Sequence, residues 1–215
     1  MWEMPSPSTL TRKVMDERQQ IRAKLRQRRT EYSAAQCQSL SRQICTHLQH
    51  EKLFKNRNRF AFYYPVANEV DLLNLMFRAW SFGKKTFLPV LARFPKGSLW
   101  WIEHTDSTSM YLNRFGIPEP THPARARSVK LRSLDVIFIP LVGFDPNGNR
   151  MGMGGGFYDR SLAKCYRENN PWHRPLRIGV AYSWQQVKTI PTESWDIPLD
   201  AIATENGLTW FRREK

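Results

Sequence analysis

The chain has 215 residues, 41% of them apolar, and this size favours one compact domain, residues 1–215, over two very small ones. It carries 33 basic and 19 acidic residues, and the net charge of +14 favours polyanionic ligands such as nucleotides or nucleic acid without choosing between them. Since no run of about 18 apolar residues occurs, we expect no membrane-spanning helix and no membrane partner.

The first ten residues, MWEMPSPSTL, are expected to form a loose polar arm, because they lack the apolar stretch of a secretory signal. The three cysteines, an odd number, show no metal-binding spacing, which indicates a reduced, cytoplasmic compartment. Cys37 and Cys45 occupy apolar positions of a helix-like segment, so we expect both to be buried.

Residues 10–32 are rich in Arg, Lys, Gln and Glu and predict a helix with a thin apolar seam of Ile21, Leu25 and Tyr32. Ser33 followed by Gln36 is typical of a capping box. It predicts the start of a second helix whose inward face is Cys37, Leu40, Ile44 and Leu48.

The aromatic segment 59–66, RFAFYYPV, predicts a strand that ends at Pro65. A helix is predicted over 68–83, ending at Gly83, with an inward face of Val70, Leu73, Phe77 and Trp80. Two further strands are predicted at KKTFLPVL (84–91) and SLWWIEH (98–104).

Residues 115–123 contain three prolines and predict an ordered or extended loop. The apolar run 135–142 predicts a strand covered on both faces, and 157–166 has helix character. Strands are also predicted at 176–183 and within 200–211. The repeated strand–helix order indicates an α/β domain with a mostly parallel sheet flanked by helices, in which ligands lie beyond the carboxyl ends of the strands.

The segment 143–160, GFDPNGNRMGMGGGFYDR, holds six of the eleven glycines and lies between a predicted buried strand and a helix. Glycine leaves backbone N–H groups open to an anion, and a helix N-terminus favours negative charge. Arg150 could bind phosphate oxygens, and Asp159 could hold magnesium. The segment matches neither the GxxxxGK[ST] phosphate loop nor a GxGxxG dinucleotide motif, so a simple flexible turn stays open as the alternative.

The residue order in this segment resembles the signature of the 5-formyltetrahydrofolate cyclo-ligases, also called 5,10-methenyltetrahydrofolate synthetases, roughly FDxxGxRLGxGxGYYDR. The departures are Met151 for Leu, Gly155 where Lys or Gly occurs, and Phe157 for the first Tyr. Weaker matches follow in order along most of the chain. They are RAKLR at 22–26, YP with NEVD at 64–71, LPV at 88–90, FGIPEP at 115–120, DVI at 135–137, PLVGFD at 140–145 and DIPLD at 196–200.

The resemblance implies a fold of the NagB/RpiA/CoA-transferase class and a ligase that converts 5-formyltetrahydrofolate and MgATP to 5,10-methenyltetrahydrofolate, ADP and phosphate. It implies that Arg150 and Asp159 act in catalysis, with Mg²⁺ on Asp159 and on Asp196 or Asp200. The folate would contact Tyr64, Glu69, Phe115 and Tyr158. The ATP site it implies comprises Arg22, Arg26, Arg150, Met151, Gly152, Met153, Gly154, Gly155, Gly156, Phe157 and Tyr158.

Each of these assignments has a structural alternative. Arg22 and Arg26 share one helix face, which could be a solvated basic surface. Glu69 and Asp196 could cap a helix or a turn, and aromatic residues lie in cores more often than in ligand sites.

For the whole chain, a nucleic-acid-binding module is one rival, although no nucleic-acid motif accompanies the charge. An enzyme of the same fold class that acts on sugar phosphates or CoA esters is another. Polyglutamylated folate would suit the basic surface.

Overall fold

The computed structural model describes residues 9–121, 128–167 and 175–211. The helices of this part of the chain are α1 (Thr9–Thr30), α2 (Ala34–His50), α3 (Lys52–Asn56), α4 (Leu73–Ser81) and α5 (Phe157–Arg167). Its strands are β1 (Arg59–Ala61), β2 (Lys85–Leu91), β3 (Leu99–His104), β4 (Met110–Leu112), β5 (Pro118–Pro120), β6 (Val136–Pro140), β7 (Gly143–Phe144), β8 (Arg150–Met151), β9 (Leu176–Val180), β10 (Ala201–Thr204) and β11 (Gly207–Trp210).

The main sheet has seven strands in the order β11-β10-β9-β6-β1-β2-β3. The five central strands are parallel, and the edge strands β11 and β3 pair antiparallel with their neighbours. β6 lies in the middle, and its residues 136–139 are buried on both faces. The predicted α/β class with a mostly parallel sheet is therefore confirmed, and β6 delivers the glycine-rich segment to the centre of the sheet's carboxyl edge.

Each face of the sheet is covered by its own apolar core. One core joins the sheet to α2, α3 and α4 and contains Ile44, Leu48, Phe54 and Leu75. The other joins it to α5 and the segment 197–199 and contains Leu162 and residues of β6. Two layers of helices thus leave the carboxyl edge of the parallel strands as the place where loops gather.

The start of α2 confirms the predicted capping box, since Ser33 Oγ accepts from Gln36 N and the Gln36 side chain accepts from Ser33 N. The predicted inward face of this helix is buried at Cys37, Ile44 and Leu48, and Cys45 is buried as expected. The apolar seam of α1 is thinner than predicted. Leu25 is buried, but the next buried position on the same face is occupied by a charged residue, Arg29.

The inward face predicted for the helix over 68–83, which is α4, was wrong in part: Leu73 and Trp80 are partly buried against the core, but they are not its most buried positions. The helix begins at Leu73 rather than near 68, so Val70 does not belong to its phase. The buried positions are instead Leu72, Leu75, Met76 and Ala79, which have helical spacing, and Phe77 is 53% exposed. Gly83 does end the segment, with a φ of +66°.

The strand predicted at 59–66 pairs only over β1, although the chain stays buried through Tyr63. The proline-rich loop includes β5, which pairs antiparallel with β4, while its residues 122 and 123 lie outside the described residues. Residues 1–8 of the predicted arm also lie outside them, and α1 already begins at Thr9. Among the described helices, none combines the length and apolar character needed to cross a membrane.

Candidate functional site

The glycine-rich segment begins as a short hairpin of β7 and β8 whose turn is held by a buried carboxylate. Asp145 is fully buried and accepts hydrogen bonds from the backbone N–H groups of Asn149 and Ile190, each at 3.0 Å. At the tip, Gly148 has a φ of +81°, and a Cβ there would lie 2.9 Å from the ring of Phe211. The hairpin is therefore a packed structural unit tied to the segment that follows β9.

Residues 152–156 form an open loop between β8 and the first turn of α5. Gly154 and Gly156 have φ values of +100° and +62°, which glycine adopts without steric cost. A Cβ built on Gly152 would meet no atom of the described residues within 4 Å. The loop thus presents accessible backbone beside a helix N-terminus, a geometry that suits an anion.

Arg150 places a buried positive charge directly beneath this loop. Its Nη2 donates to Asp159 Oδ1 at 2.6 Å, and the two side chains are 5% and 16% exposed. Asp159 Oδ1 also accepts from the backbone N–H of Ile197 at 3.1 Å. Within the described part of the chain the buried Nε of Arg150 has no hydrogen-bond partner, so the guanidinium keeps donor capacity.

Helix α1 lies against the other side of the loop and contacts it through arginines spaced four residues apart. Arg22 Nε donates to the carbonyl of Gly152 at 3.0 Å, and Arg26 Nη2 reaches that of Met153 at 3.5 Å. One turn earlier, Arg18 binds Asp196. Burial lowers the pKa of Arg22, and the charges of Arg18 and Arg26 lower it further. Since carbonyls are neutral acceptors, the positive charge concentrated here remains available to an anion.

The acidic candidates for a metal site differ in what already binds them. Both hydrogen bonds of Asp159 described above end on Oδ1. Asp196 accepts from Arg18 on both oxygens, at 2.5 and 3.3 Å, and its Oδ2 also accepts from the N–H of Glu193. Asp200 accepts from the backbone and the guanidinium of the buried Arg177. Asp159 is therefore the carboxylate best placed for a cation beside the loop.

The chemistry of these donors fits magnesium, which is ordinarily held by one or two carboxylates together with phosphate oxygens. No cluster of three or more His, Cys, Asp or Glu able to hold a metal occurs among residues 9–121, 128–167 and 175–211. Asp159 would supply one carboxylate. Asp196 lies close to it, because the next residue, Ile197, donates its backbone N–H to Asp159.

On the β1 side, Glu69 lies in a tight turn at the carboxyl edge. Its Oε2 accepts from the backbone N–H of Val66 at 3.1 Å, and Ala67 and Asn68 both have positive φ. Burial raises the pKa of Glu69, while the Val66 N–H and the nearby Arg29 act in the opposite direction. Non-glycine residues rarely adopt positive φ, so the turn holds Glu69 in place at some cost in strain.

Two of the three aromatic candidates, Tyr158 and Phe115, lie beside the glycine loop 152–156 or the first turn of α5 that follows it. Tyr158, in the first turn of α5, packs against the ring of Trp101 at 6.1 Å between centroids. Burial raises its pKa and the Glu69 carboxylate adds to the shift, so its hydroxyl remains protonated at neutral pH. Phe115 is 56% exposed and meets the ring of Phe157 edge-on at 6.2 Å. Tyr64 is half-buried just after β1.

A family model described as the 5-formyltetrahydrofolate cyclo-ligase family matches residues 14–205. The chain belongs to this family. It is 36% identical over 182 residues to the 5-formyltetrahydrofolate cyclo-ligase of Haemophilus influenzae, covering 85% of this chain and 94% of that protein. The Escherichia coli K12 protein of the same name is 35% identical over 184 residues, with 86% and 98% covered.

Solved structures of cyclo-ligase family members under the synonymous name share the architecture. The Aquifex aeolicus 5,10-methenyltetrahydrofolate synthetase matches with a TM-score of 0.74 and 30% identity over 92% of this chain and 94% of that one. The Mycoplasma pneumoniae synthetase matches with a TM-score of 0.67 at 23% identity, covering 87% and 98%, which is a likeness of fold.

The sequence interpretation missed two arginines of α1 that contact candidate site residues. Arg18 binds Asp196 and the carbonyl of Pro191, and Arg29 is buried against Leu141 and Glu69. Their spacing carried the signal, because positions 18, 22, 26 and 29 lie on one face of a helix. Because arginine occurs on more than one face of this segment, the sequence alone could not distinguish the face that contacts the rest of the protein from the face exposed to solvent.

Proposed function

We propose that this chain is an ATP-dependent 5-formyltetrahydrofolate cyclo-ligase, which converts 5-formyltetrahydrofolate and ATP to 5,10-methenyltetrahydrofolate, ADP and phosphate. The observation that carries the proposal is the contact of Arg22 with Gly152, which sets the arginine face of α1 against an open glycine loop. The chain's place in the cyclo-ligase family then selects this reaction among those that use a phosphate site.

The proposed chemistry begins with transfer of the γ-phosphoryl group of ATP to the formyl oxygen, which releases ADP. N10 of the folate then attacks the activated formyl carbon and loses its proton. The C–O bond breaks with its electron pair on oxygen, phosphate leaves, and the N5–C–N10 bridge is formed. Phosphorylation is needed because hydroxide is a poor leaving group, and the protein's main tasks are positioning and neutralisation of charge.

We assign the ATP phosphates to the space bounded by the loop and α1. The backbone N–H groups of the loop and of the first turn of α5 face an anion favourably, since this end of the helix dipole is positive. Arg22, Arg26 and Arg150 would bind phosphate oxygens through the guanidinium N–H groups that are not used in the contacts described above. Met151 is fully buried, so any contribution from it comes through the backbone. The other members of the assigned set are Gly152, Met153, Gly154, Gly155, Gly156, Phe157 and Tyr158.

Asp159 would hold Mg²⁺ in this proposal, with Asp196 as a second carboxylate that must first leave Arg18. Magnesium, when bound, would neutralise charge on the phosphates. Asp159 also orients Arg150 through their 2.6 Å hydrogen bond, so the carboxylate and the guanidinium are placed as a unit.

The folate would lie across the carboxyl edge of β1 and β6. Glu69 would accept hydrogen bonds from the N–H groups of the pterin edge, because an ionised carboxylate only accepts. Tyr64, Tyr158 and Phe115 would supply flat walls for the two ring systems. The basic surface would suit the anionic tail of a polyglutamylated folate, and the buried thiols of Cys37 and Cys45 would suit a reducing, cytoplasmic compartment.

The test is a spectroscopic assay of methenyl product with purified protein, 5-formyltetrahydrofolate, ATP and a divalent metal. We expect turnover only when ATP and metal are both present. Product formed equally fast without ATP would reject the mechanism. Salt-sensitive retention on nucleic acid without folate turnover would instead favour a nucleic-acid-binding protein.

The metal assignment has its own variant. Asp159→Asn keeps the side-chain shape but removes the charge, so we expect a sharply raised magnesium requirement with metal-free folate binding nearly unchanged. The magnesium concentration for half-maximal rate and the folate dissociation constant measure the two effects. If the variant unfolds at the assay temperature, Asp159 is a structural acceptor for Arg150 and Ile197.

A further inference from the structure

Arg29 is a buried charge at the point where three elements of the site meet. It lies in the last turn of α1 and is 8% exposed. Its Nη2 donates to the carbonyl of Leu141, just beyond β6, at 3.3 Å. Its Nη1 lies 4.0 Å from Oε1 of Glu69. Its Nε is buried without a hydrogen-bond partner among the described residues.

Stability gives no reason for a charge at this position. Arg29 follows Leu25 on the buried face of α1, where an apolar side chain would pack without loss of hydration. Burying an ion is costly, and apolar replacement of buried ion pairs is often neutral or stabilising. A leucine or methionine would therefore serve packing at least as well.

Glu69 is held from two sides, and Arg29 provides the second. The backbone N–H of Val66 fixes Oε2 through the strained turn at Ala67 and Asn68. The other oxygen, Oε1, faces the guanidinium of Arg29. A separation of 4.0 Å is an electrostatic contact that leaves room for Oε1 to accept a hydrogen bond from another donor.

We propose that Arg29 is a positioning residue for folate binding, which keeps Glu69 ionised and its Oε1 turned toward the pterin edge. The inference rests on the proposed cyclo-ligase function and on the folate role of Glu69 in it. Arg29 touches neither substrate in this proposal and acts through Glu69.

Among the described residues, the charged and titratable groups that face Glu69 are Arg29 from α1, Tyr63 beyond β1, Tyr158 from α5, and Tyr182 after β9, whose hydroxyl donates to the Glu69 carbonyl at 3.4 Å. Burial raises the pKa of all three tyrosines, so they stay neutral and Arg29 supplies the opposing charge. Because a nearby cation favours the ionised carboxylate, removal of Arg29 raises the pKa of Glu69. The acid side of the folate-affinity profile should therefore move to higher pH.

The experiment compares Arg29→Gln, Arg29→Lys and Glu69→Gln with the wild type in the methenyl assay across pH. We expect Arg29→Gln to raise the KM for folate by about 10-fold, which is the scale of the charge-assisted hydrogen bond between Glu69 and the pterin that the change would weaken. The KM for ATP should stay within about twofold of the wild-type value. Arg29→Lys should recover part of the loss, since it keeps the charge. Adding Arg29→Gln to Glu69→Gln should cause little further loss.

Arg28→Gln is the matched control, because it removes the neighbouring charge, whose partner among the described residues is Trp184 rather than Glu69. Equal folate KM values and pH profiles in Arg28→Gln and Arg29→Gln would overturn the proposal. If Arg29→Gln does not fold, Arg29→Met buries no charge and must show the same two shifts. Absence of turnover in the wild type rejects the proposed function itself, which separates that failure from failure of the Arg29 assignment.

Discussion

The two halves of the glycine-rich segment use the same residue type for opposite purposes. In the hairpin of β7 and β8 the glycines make room for neighbours. A Cβ on Gly143 would lie 2.5 Å from Leu25 Cδ1, and one on Gly148 would meet Phe211. In the loop 152–156, a Cβ on Gly152 would meet no described atom within 4 Å and one on Gly154 would come no closer than 3.9 Å to Arg22, whereas a Cβ on Gly155 or Gly156 would crowd the side chain of Phe157 or Arg160. The hairpin is therefore packed at its glycines, and the loop is open on the side of Gly152 and Gly154.

This difference shows that bare backbone is no evidence of a binding site by itself. Glycine in a packed hairpin contributes to stability, whereas glycine in an open loop beside Arg22 and Arg150 gives an anion access to backbone N–H groups. The two interpretations of the segment, turn or phosphate loop, therefore describe different residues of it. Substitutions in the first half should change unfolding, and those in the second should change ATP use.

The largest expected effect is on the packed half. Asp145→Ala leaves the buried N–H groups of Asn149 and Ile190 without their acceptor, which should lower the free energy of unfolding by about 4 kcal/mol. Urea unfolding measures it, and Asp106→Ala, at an exposed carboxylate, is the control. A loss near that of the control would mean that the hairpin is not held by this carboxylate.

The open half should respond in activity. Gly152→Val puts a side chain into space that no described residue occupies, so stability should change little. The branched side chain blocks approach to the backbone, and loss of one charge-assisted hydrogen bond of about 1.5–3 kcal/mol raises the KM for ATP by about 10- to 150-fold. Gly154→Val is a poorer test, because the φ of +100° at Gly154 strains any side chain.

An unchanged KM for ATP in Gly152→Val, with normal unfolding, would place the nucleotide away from this face of the loop. Loss of stability without loss of ATP affinity would return the loop to the role of a turn. The two measurements on one variant therefore separate the alternatives that composition left open.

The layer architecture was predictable because it depends on local patterns. The buried run at β6, the capping box at Ser33 and the strand–helix alternation each report on a few neighbouring residues. The start of α4 was not predictable in this way. The apolar residues before Leu73 have a helical spacing, but the chain there forms the turn that contains Glu69. Positive φ at Ala67 and Asn68 has no signature in residue type as strong as glycine would give.

The candidate site was predictable as a segment but not as a set of contacts. The glycine run and the arginine helix could be found separately, yet their meeting depends on tertiary packing across more than a hundred residues. The same holds for Asp196, whose pairing with Arg18 joins distant parts of the chain. Arg29 was not found because its burial depends on the position of Glu69 and the end of β6.

A smaller effect should separate arginines that contact the open loop from those that do not. Arg22→Gln removes a half-buried guanidinium 3.0 Å from Gly152, and we expect about a 10-fold rise in the KM for ATP that persists at high salt. Arg26 is exposed at 3.5 Å, so Arg26→Gln should have a weaker effect. Lys24→Gln, at an exposed position of the same helix, is the control, and equal effects in all three would indicate general electrostatic attraction.

The smallest expected effect tests the packing of the hairpin tip. Gly148→Ala and Gly83→Ala both place a Cβ at positive φ, +81° and +66°, and should share a backbone cost of about 1 kcal/mol. Only Gly148 also brings the Cβ to 2.9 Å from the Phe211 ring and 3.2 Å from the Leu199 carbonyl, so Gly148→Ala should cost about 1 kcal/mol more. Thermal unfolding of both variants measures the difference, and Phe211→Leu should reduce it. If the two substitutions cost the same, the ring yields freely and Gly148 is required only for its backbone conformation.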